Sequence, residues 1–402
     1  MSTNSFLPYG RQSIDADDLA AVTKALQGDY LTTGPGVGRF EQAFAETVGA
    51  RYAIASNSGT AALHLACIAL GLGAGDAVIV PTLTFLATAN AARFCGADVI
   101  FADVDPDSGR LTPETLDAAF KRAGSAKVKA VLPVHLNGHC ADMATIRAIT
   151  EARGVKIIED ACHALGTILQ SGNNSTAQVG ACALSELACF SLHPVKTMTT
   201  GEGGVTTTND PQHYKTMQLY RSHGMTRDAA EFRHRDLAFA PNGQPNPWYY
   251  EMHALGWNYR ITDFACALGE SQLKKLPHFI ERRRALTALY DQQLAALAPR
   301  LKIVPKQPGD NAALHLYAVL IDFAGIGKSR AQVMDELKAR GVGTQVHYLP
   351  VHRQPYYRGL YGALDLPGAN SYYERQLSIP LYPDMADNDV TRVVAALRDV
   401  LA

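Results

Sequence analysis

The sequence predicts an α/β protein with a large, mostly parallel sheet and a smaller α+β domain at the C-terminus. From Tyr52 onward, short apolar stretches typical of strands alternate with longer stretches of helical period. This alternation is typical of a sheet with helices on both faces. The chain has 402 residues, 47% hydrophobic and 19% charged, which is ample apolar material for a core. We expect a large domain over residues 1–265 and a small domain over residues 266–402.

The first predicted elements precede the alternating region. An amphipathic helix is expected at 17–28, and a Thr/Gly/Pro loop at 31–38. The glycines of this loop resemble half of a dinucleotide-binding motif, but no strand leads into them, so a Rossmann interpretation is rejected. In the alternating region, strands are expected at 52–55, 77–80, 98–102, 129–134, 155–159, 186–191 and 203–207, and helices at 59–71, 85–94, 113–122 and 142–153.

The remaining chain mixes irregular and helical segments. Residues 168–178 resemble a polar hairpin, and residues 226–250 show no period and predict a long functional or interface loop. A long helix is expected at 263–297, broken near Pro277. The small domain is expected to contain strands near 301–305 and 314–322 and helices at 329–340 and 387–401.

Composition excludes several classes of function. The formal charge is 37 − 38 = −1, which favours neither nucleic acid nor a membrane surface as partner. The seven cysteines are scattered without a CxxC pair, so reduced thiols in the cytoplasm are expected rather than disulfides or a zinc site. No metal site is expected. Residues 1–5 lack the features of a signal peptide, which also favours a cytoplasmic location.

Lys196 is the most informative residue of the chain. It follows Phe190-Ser191-Leu192-His193-Pro194-Val195 and precedes the loop Thr199-Thr200-Gly201-Glu202-Gly203-Gly204. A strand, a turn, a lysine and a glycine-rich loop can present a buried lysine to a phosphorylated cofactor. Most lysines are solvated surface charges, so Lys196 gains meaning only with the two elements described next.

A strand-end carboxylate and a helix N-terminus complete the pattern. Asp160 ends an apolar strand, and Glu159, the competing carboxylate, should point to the opposite face. Ser58-Gly59-Thr60-Ala61 begins a helix whose amides suit a phosphate, with Ser191 as a second phosphate ligand. These features match pyridoxal 5'-phosphate (PLP): Lys196 forms the Schiff base and Asp160 pairs with the pyridinium nitrogen. Taken alone, the helix start could equally be an ordinary N-cap, and Asp160 could cap a turn.

Two further side chains are predicted to serve the cofactor. His163 follows Asp160 closely and is expected either to hydrogen-bond the cofactor oxygen O3' or to orient Asp160. Phe85 follows another strand end and is expected to stack on the cofactor ring, although aromatic residues more often belong to a core.

The chain resembles the DegT/DnrJ/EryC1/StrS family of PLP-dependent nucleotide-sugar aminotransferases. The resemblance rests on the runs Ser56–Leu63 (SNSGTAAL), Pro81–Asn90 (PTLTFLATAN), Glu159–Gly166 (EDACHALG) and Phe190–Gly204 (FSLHPVKTMTTGEGG). It implies the PLP-dependent transferase fold type I, which is that of aspartate aminotransferase. The segments around Arg221–Met225, Pro247–Glu251 and Gln345–Tyr348 are most similar to the pseudaminic-acid branch.

The resemblance also implies roles for individual residues. Lys196 would be the Schiff-base lysine and proton shuttle, and Thr60, Ala61 and Ser191 would hold the phosphate. Asn258 would reach the phosphate of the neighbouring subunit's cofactor, which implies a homodimer with shared sites. The sugar-nucleotide cleft would be lined by Thr32, Thr33, His347 and Tyr348.

The implied reaction moves an amino group from L-glutamate to C4 of a UDP-linked 4-keto-6-deoxy-N-acetyl-hexosamine. The product would be UDP-4-amino-4,6-dideoxy-N-acetyl-β-L-altrosamine, formed in pseudaminic acid biosynthesis. One alternative is a GDP- or dTDP-linked 4-keto-6-deoxyhexose, or a 3-keto sugar, as substrate. A sugar dehydratase of the same family would carry histidine instead of Lys196. A non-catalytic PLP-binding regulator would need a DNA-binding module, for which the sequence shows no sign.

Overall fold

The computed structural model describes residues 6–172, 175–309 and 311–402. The strands up to residue 260 are β1 (Tyr52–Ser56), β2 (Asp76–Pro81), β3 (Asp98–Ala102), β4 (Lys127–Val131), β5 (Lys156–Asp160), β6 (Ile168–Gly172), β7 (Ser175–Gln178), β8 (Leu187–Ser191), β9 (Gly204–Thr208), β10 (Met225–Thr226) and β11 (Glu251–Met252). The helices of the same part are α1 (Ala16–Leu26), α2 (Pro35–Val48), α3 (Gly59–Ala69), α4 (Leu86–Phe94), α5 (Pro113–Ala123), α6 (Met143–Glu151), α7 (Pro211–Arg221) and α8 (Arg235–Ala238).

Seven of these strands form one sheet in the order β1-β9-β8-β5-β4-β2-β3. The strand β9 runs antiparallel to β1 and to β8, whereas the pairs β8-β5, β5-β4, β4-β2 and β2-β3 are parallel. The predicted mostly parallel sheet is therefore confirmed. The carboxyl ends of β5 and of its parallel neighbour β8 lie side by side, because Asp160 is paired with Cys189.

Side chains of successive strand residues enter two separate cores. Ala53 and Ala55 of β1 pack with Phe40 and Phe44 of α2, while Ile54 packs into the other core. The same alternation places Ile157 and Ile158 of β5 in different cores. Since successive side chains of a strand point to opposite faces, the sheet is covered on both sides by helices.

The C-terminal part has its own sheet and core. It consists of α9 (Asp263–Leu294), β12 (Leu301–Ile303), β13 (Tyr317–Ile321), α10 (Arg330–Ala339), α11 (Pro355–Tyr361), α12 (Pro367–Arg375), β14 (Gln376–Ile379) and α13 (Asp387–Val400). The three strands form an antiparallel sheet in the order β12-β13-β14. A third apolar cluster joins this sheet to α9, α10 and α13. The proposed boundary between residues 265 and 266 falls in the first turn of α9 and stays a prediction.

The predicted loop at 31–38 is wrong in its second half, because α2 begins at Pro35. Proline is favoured in the first turn of a helix, where its missing N–H has no intrahelical partner. The amides of Gly34 and Gly36 donate to the Asp263 carboxylate at 2.8 Å each. This cap comes from a residue more than two hundred positions away, so the local pattern could not reveal it.

Other differences concern the C-terminal part. The break near Pro277 is wrong, since α9 runs continuously through it. An internal proline costs about 3 kcal/mol, and burial of apolar side chains on both sides, including Leu276 and Phe279, offsets it. The elements α11, α12 and β14 of this part were not predicted, and neither was α7 in the large domain. The hairpin at 168–178 is confirmed as β6 and β7, with residues 173 and 174 outside the described residues. Residues 226–250 contain little regular structure, as expected.

Candidate active site

A cavity of about 800 Å³ opens at the carboxyl ends of β5 and β8. Nine of the predicted site residues line it: Gly59, Thr60, Phe85, Asp160, His163, Ser191, Lys196, His347 and Tyr348. They come from the ends of β5 and β8, the turns that follow these strands, the starts of α3 and α4, and the segment 345–348 beside β14, so the fold gathers segments that are far apart in sequence. This volume is within the usual range for a small-molecule site.

Lys196 lies in the turn that follows β8. Its backbone amide donates to the carbonyl of His193 at 2.9 Å, which closes the turn. Burial lowers the pKa of the Lys196 ammonium, while the nearby Cys162 and Asp160 raise it in part. The ε-amino group therefore loses its proton more readily than a solvated lysine, as a nucleophile or base requires.

Asp160 is a buried carboxylate held by two hydrogen bonds. Its Oδ2 accepts from the Thr88 hydroxyl at 2.6 Å, and its Oδ1 accepts from the Cys162 amide at 3.2 Å. The residue is 5% exposed, and none of the salt bridges within the described residues includes it. A buried carboxylate is costly unless a cation pairs with it. Asp160 therefore offers a site for a cationic group of a ligand.

Glu159 points away from the cavity, as strand alternation predicted. Its carboxylate accepts hydrogen bonds from Ser185 and contacts the His135 Nε2 at 2.7 Å. Each of these side chains is buried, and Glu159 does not line the cavity. Its partners give Glu159 a structural role on the opposite side of β5.

The start of α3 and the end of β8 approach each other closely. A Cβ added to Gly59 would lie 2.9 Å from the Ser191 Cβ, which is too close for any residue other than glycine without movement. The amides of Gly59 and Thr60 are the first two of α3 and have no intrahelical partner. Together with the hydroxyl of Ser191, they form a cradle suited to an anion.

Ala61 lies beside this cradle, and its predicted contact with the phosphate stays a prediction. Its amide donates to the Ser58 side chain at 3.1 Å, which is an ordinary N-cap, and the residue does not line the cavity. The N-cap interpretation is therefore confirmed for the Ala61 amide, and the anion interpretation stays a prediction for the amides of Gly59 and Thr60.

His163 contacts Tyr348 rather than Asp160. Its Nε2 lies 3.0 Å from the Tyr348 hydroxyl, and its Nδ1 accepts from the Asn137 amide at 3.3 Å. One of the two roles predicted for His163 was to orient Asp160. In the structure, Thr88 and Cys162 make the hydrogen bonds that hold Asp160. Burial, with smaller contributions from Lys196 and His347, lowers the pKa of His163 well below its usual range. The ring is therefore neutral near neutral pH.

Sequence reasoning missed several residues of the site. Thr88 lies three residues after Phe85 and one turn into α4, so helical spacing could have placed it beside the cavity. Tyr9 and His315 also line the cavity, and the His315 ring centroid is 4.7 Å from that of His163. These two residues come from distant parts of the chain and gave no local signal.

Three predicted residues lie away from this cavity: Thr32, Thr33 and Asn258 are exposed and do not line it. The Asn258 carbonyl accepts from the Asn57 side chain at 3.3 Å, and Asn57 does line the cavity. Within the described residues, no cluster of three or more His, Cys, Asp or Glu side chains is placed to hold a metal ion. None of the described helices combines the length and apolar character that a membrane crossing requires.

Comparison with known proteins agrees with this geometry. The model of the DegT/DnrJ/EryC1/StrS aminotransferase family matches residues 12–398. The chain belongs to this family. The aminotransferase is 37% identical to the Bacillus subtilis (strain 168) spore coat polysaccharide biosynthesis protein SpsC, over 99% of this chain and 98% of the relative.

Solved structures also match this aminotransferase from end to end. Helicobacter pylori PseC, an aminotransferase of pseudaminic acid biosynthesis, has a TM-score of 0.87 at 26% identity and covers 99% of both chains. The PLP-form of Streptococcus pneumoniae Spr1654 has a TM-score of 0.85 at 25% identity and covers 98% of both chains. These matches confirm the predicted PLP-dependent transferase fold and a PLP-dependent sugar aminotransferase.

The residues of this aminotransferase fit PLP group by group. Asp160 makes no salt bridge within the described residues and can pair with the protonated pyridine nitrogen. The cradle of Gly59, Thr60 and Ser191 suits the phosphate, and Lys196 opens on the same cavity. When bound, PLP supplies an aldehyde for amine exchange and an aromatic ring that withdraws electrons from the reacting carbon.

Proposed function

We propose that this aminotransferase moves an amino group from L-glutamate to C4 of a UDP-linked 4-keto-6-deoxy-N-acetyl-hexosamine. The product would be UDP-4-amino-4,6-dideoxy-N-acetyl-β-L-altrosamine, an intermediate of pseudaminic acid biosynthesis. The specific support is the similarity to PseC, which extends over 99% of the chain at a TM-score of 0.87. A cytoplasmic location stays a prediction.

The observation that carries the transaminase chemistry is that Asp160 and Lys196 line the same cavity. Asp160 holds a ring nitrogen in its protonated form, which favours withdrawal of electrons from the substrate carbon. Lys196 lies on the same cavity with a lowered pKa. In its neutral form, its Nζ can accept a proton from the amino donor and return it at a neighbouring atom.

The proposed roles of Phe85 and His347 follow from their positions. Phe85 is 55% exposed and lies against Tyr348, with ring centroids 6.0 Å apart, so its face is available for a planar ligand. His347 is anchored by a 2.9 Å hydrogen bond between its Nδ1 and the Ser378 hydroxyl. We assign Phe85 to ring stacking, and His347 and Tyr348 to the substrate side of the cavity.

We propose that the remaining predicted residues act across the subunit interface of a homodimer with shared sites. Thr32, Thr33 and Asn258 are exposed and lie outside the cavity of their own chain. Large apolar side chains that shortly precede Asn258 in the sequence are exposed as well, including Trp248 at 72% and Leu255 at 79%. Aromatic residues are enriched at protein interfaces. In this proposal, these residues reach the cavity of the partner subunit.

A second candidate substrate is another nucleotide-linked keto sugar, such as a GDP- or dTDP-linked 4-keto-6-deoxyhexose or a 3-keto sugar. The identity to SpsC, 37%, exceeds the identity to PseC, 26%. SpsC is named for spore coat polysaccharide biosynthesis. This similarity supports the second candidate, a nucleotide-linked keto sugar that serves polysaccharide biosynthesis.

Mass spectrometry of reaction products would test the proposal. The enzyme, loaded with PLP, is incubated with L-glutamate and each of a panel of UDP-, dTDP- and GDP-linked keto sugars. We expect a product one amino group richer from the UDP-linked 4-keto-6-deoxy-N-acetyl-hexosamine, and none with the Lys196→Ala variant. Faster conversion of a dTDP- or GDP-linked sugar would support the second candidate, and no conversion of any sugar would contradict both.

A further inference from the structure

A chain of hydrogen bonds leads from the backbone of Asn137 through His163 to Tyr348. The Asn137 amide donates to His163 Nδ1 at 3.3 Å, and His163 Nε2 lies 3.0 Å from the Tyr348 hydroxyl oxygen. A backbone N–H can only donate, so Nδ1 must be the acceptor. In a neutral imidazole the other nitrogen then carries the proton. His163 therefore exists as the Nε2–H tautomer.

This tautomer fixes the direction of the next hydrogen bond. Since His163 is held neutral by its lowered pKa, its Nε2–H donates and the Tyr348 oxygen accepts. The hydroxyl proton of Tyr348 is then not part of the hydrogen bond to His163 and can be donated to another acceptor. Burial raises the pKa of Tyr348 well above its usual range, with further contributions from Asp160 and Cys162, so this proton stays on the phenol.

The surroundings of Tyr348 indicate where the proton points. Tyr348 lines the cavity, and His163 is its hydrogen-bond partner among the described residues. Phe85 and His347 pack against its ring, with centroids at 6.0 and 4.9 Å. An O–H that is fixed in this way and faces a ligand cavity is a preorganised donor for an oxygen of the ligand.

Asn137, the first residue in this series of hydrogen bonds, is held in place by its backbone conformation and by two further contacts. Its φ of 62° lies in the left-handed region, which asparagine tolerates better than most residues. Its carbonyl accepts from the His315 amide at 3.0 Å, and its side chain donates to the Tyr372 hydroxyl at 3.1 Å. Both contacts lie in the C-terminal part of the chain, so the position of His163 depends on how that part packs against the large sheet.

We propose that Tyr348 is a catalytic residue whose hydroxyl donates to an anionic or developing anionic oxygen in the cavity, and that His163 is a positioning residue that acts through Tyr348. This inference deepens and rests on the proposed function, which offers two such oxygens. One is the phenolic oxygen O3' of PLP, and the other is the carbonyl oxygen of the keto sugar.

The test uses the PLP-loaded enzyme and the Tyr348→Phe variant, which deletes one oxygen and keeps the ring. The absorbance of bound PLP is titrated with pH without substrates, and each half-reaction is then followed in single turnover. If the acceptor is O3', loss of the donor should move the absorbance transition upward by about one to two pH units. If the acceptor is the sugar carbonyl, the transition should stay in place. The keto-sugar half-reaction should then slow by about ten- to a hundred-fold, with the glutamate half-reaction unchanged.

Tyr361→Phe is the matched control, because the Tyr361 hydroxyl contacts the Val99 amide at 3.0 Å and does not line the cavity. The proposal for Tyr348 is overturned if Tyr348→Phe matches this control in both the titration and the two half-reactions. The titration needs only PLP, so failure to convert any keto sugar would count against the proposed function and leave the spectral result standing.

A double-mutant cycle tests the role of His163. If His163 acts through Tyr348, His163→Phe should change the titration or the half-reaction in the wild-type background and add nothing to Tyr348→Phe. His163→Gln can place an N–H near the position of Nε2. This variant should therefore behave much like the wild-type enzyme in the measurement that His163→Phe changes. Full additivity of His163→Phe with Tyr348→Phe would show that His163 acts on the ligand directly and would overturn this part of the proposal.

Discussion

Replacing Asp160 by Asn separates the charge of this residue from its shape. The variant keeps the size of the side chain, and its carbonyl oxygen can still accept from Thr88 or Cys162. The substitution removes the negative charge of the carboxylate, which we propose pairs with the pyridinium nitrogen of PLP. In the enzyme without PLP the stability should change little, because Asp160 has no cationic partner among the described residues.

The expected loss of activity in Asp160→Asn follows from the burial of this residue. Asp160 is 5% exposed, so its charge is only weakly screened by water. Removing one partner of a buried charge pair costs about 3–5 kcal/mol. At about 1.36 kcal/mol for each factor of ten, transamination should fall by about two to four orders of magnitude. The increase in melting temperature on addition of PLP should shrink as well, since PLP would bind the variant more weakly.

Steady-state turnover and thermal melting with and without PLP would measure both effects. Glu159→Gln is the matched control, because Glu159 is the neighbouring carboxylate and contacts His135 on the other face of β5. The melting temperature of Glu159→Gln should be lower than that of the wild type, both with and without PLP. The folded fraction of this variant should turn over substrate at the wild-type rate. If Asp160→Asn remained nearly fully active while Glu159→Gln lost all turnover, the assignment of the carboxylate would be wrong.

Three further predictions concern the lysine, the phosphate cradle and the dimer. Borohydride reduction of the PLP-loaded enzyme followed by peptide mapping should place the pyridoxyl group on Lys196; a label on another lysine would refute the assignment. Gly59→Ala should weaken PLP binding measured by equilibrium titration, because the new Cβ would lie 2.9 Å from the Ser191 Cβ; unchanged affinity would exclude this cradle. Mixing Lys196→Ala with Asn258→Asp should give heterodimers that recover up to about half of wild-type activity, since one of two sites is intact; no recovery in confirmed heterodimers would mean that each chain builds its site alone.

A fourth prediction concerns acid stability and belongs with the same group of experiments. Burial lowers the pKa of His347 and of His139 to about 3, from a usual value near 6.5. The unfolded chain therefore takes up protons below about pH 6.5 that the folded chain does not, so the free energy of unfolding should decrease as pH falls from about 6.5 toward 3. Each histidine contributes a slope of up to about 1.4 kcal/mol per pH unit. Chemical denaturation across this range would measure the slope, and His139→Phe should make it shallower; an unchanged slope would contradict the assignment.

The structure corrects the sequence analysis where distant contacts decide the local conformation. The first turn of α2 was predicted as part of a loop because it contains glycines, yet Asp263 at the start of α9 caps it. Pro277 suggested a break in α9 that packing on both sides prevents. In the site, one of the two roles predicted for His163, orientation of Asp160, is not seen: Thr88 and Cys162 hydrogen-bond Asp160, and His163 contacts Tyr348.

The sequence by itself determined the alternation of strands and helices, the strand-end position of Asp160, and the placement of Lys196 after β8. These features depend on short-range periodicity and on turn chemistry, which neighbouring residues encode. Only the tertiary structure decided that Tyr9 and His315 share the cavity, and which nitrogen of His163 carries the proton. Such contacts join residues separated by more than a hundred positions, and they depend on how the C-terminal part packs against the large sheet, which local patterns do not specify.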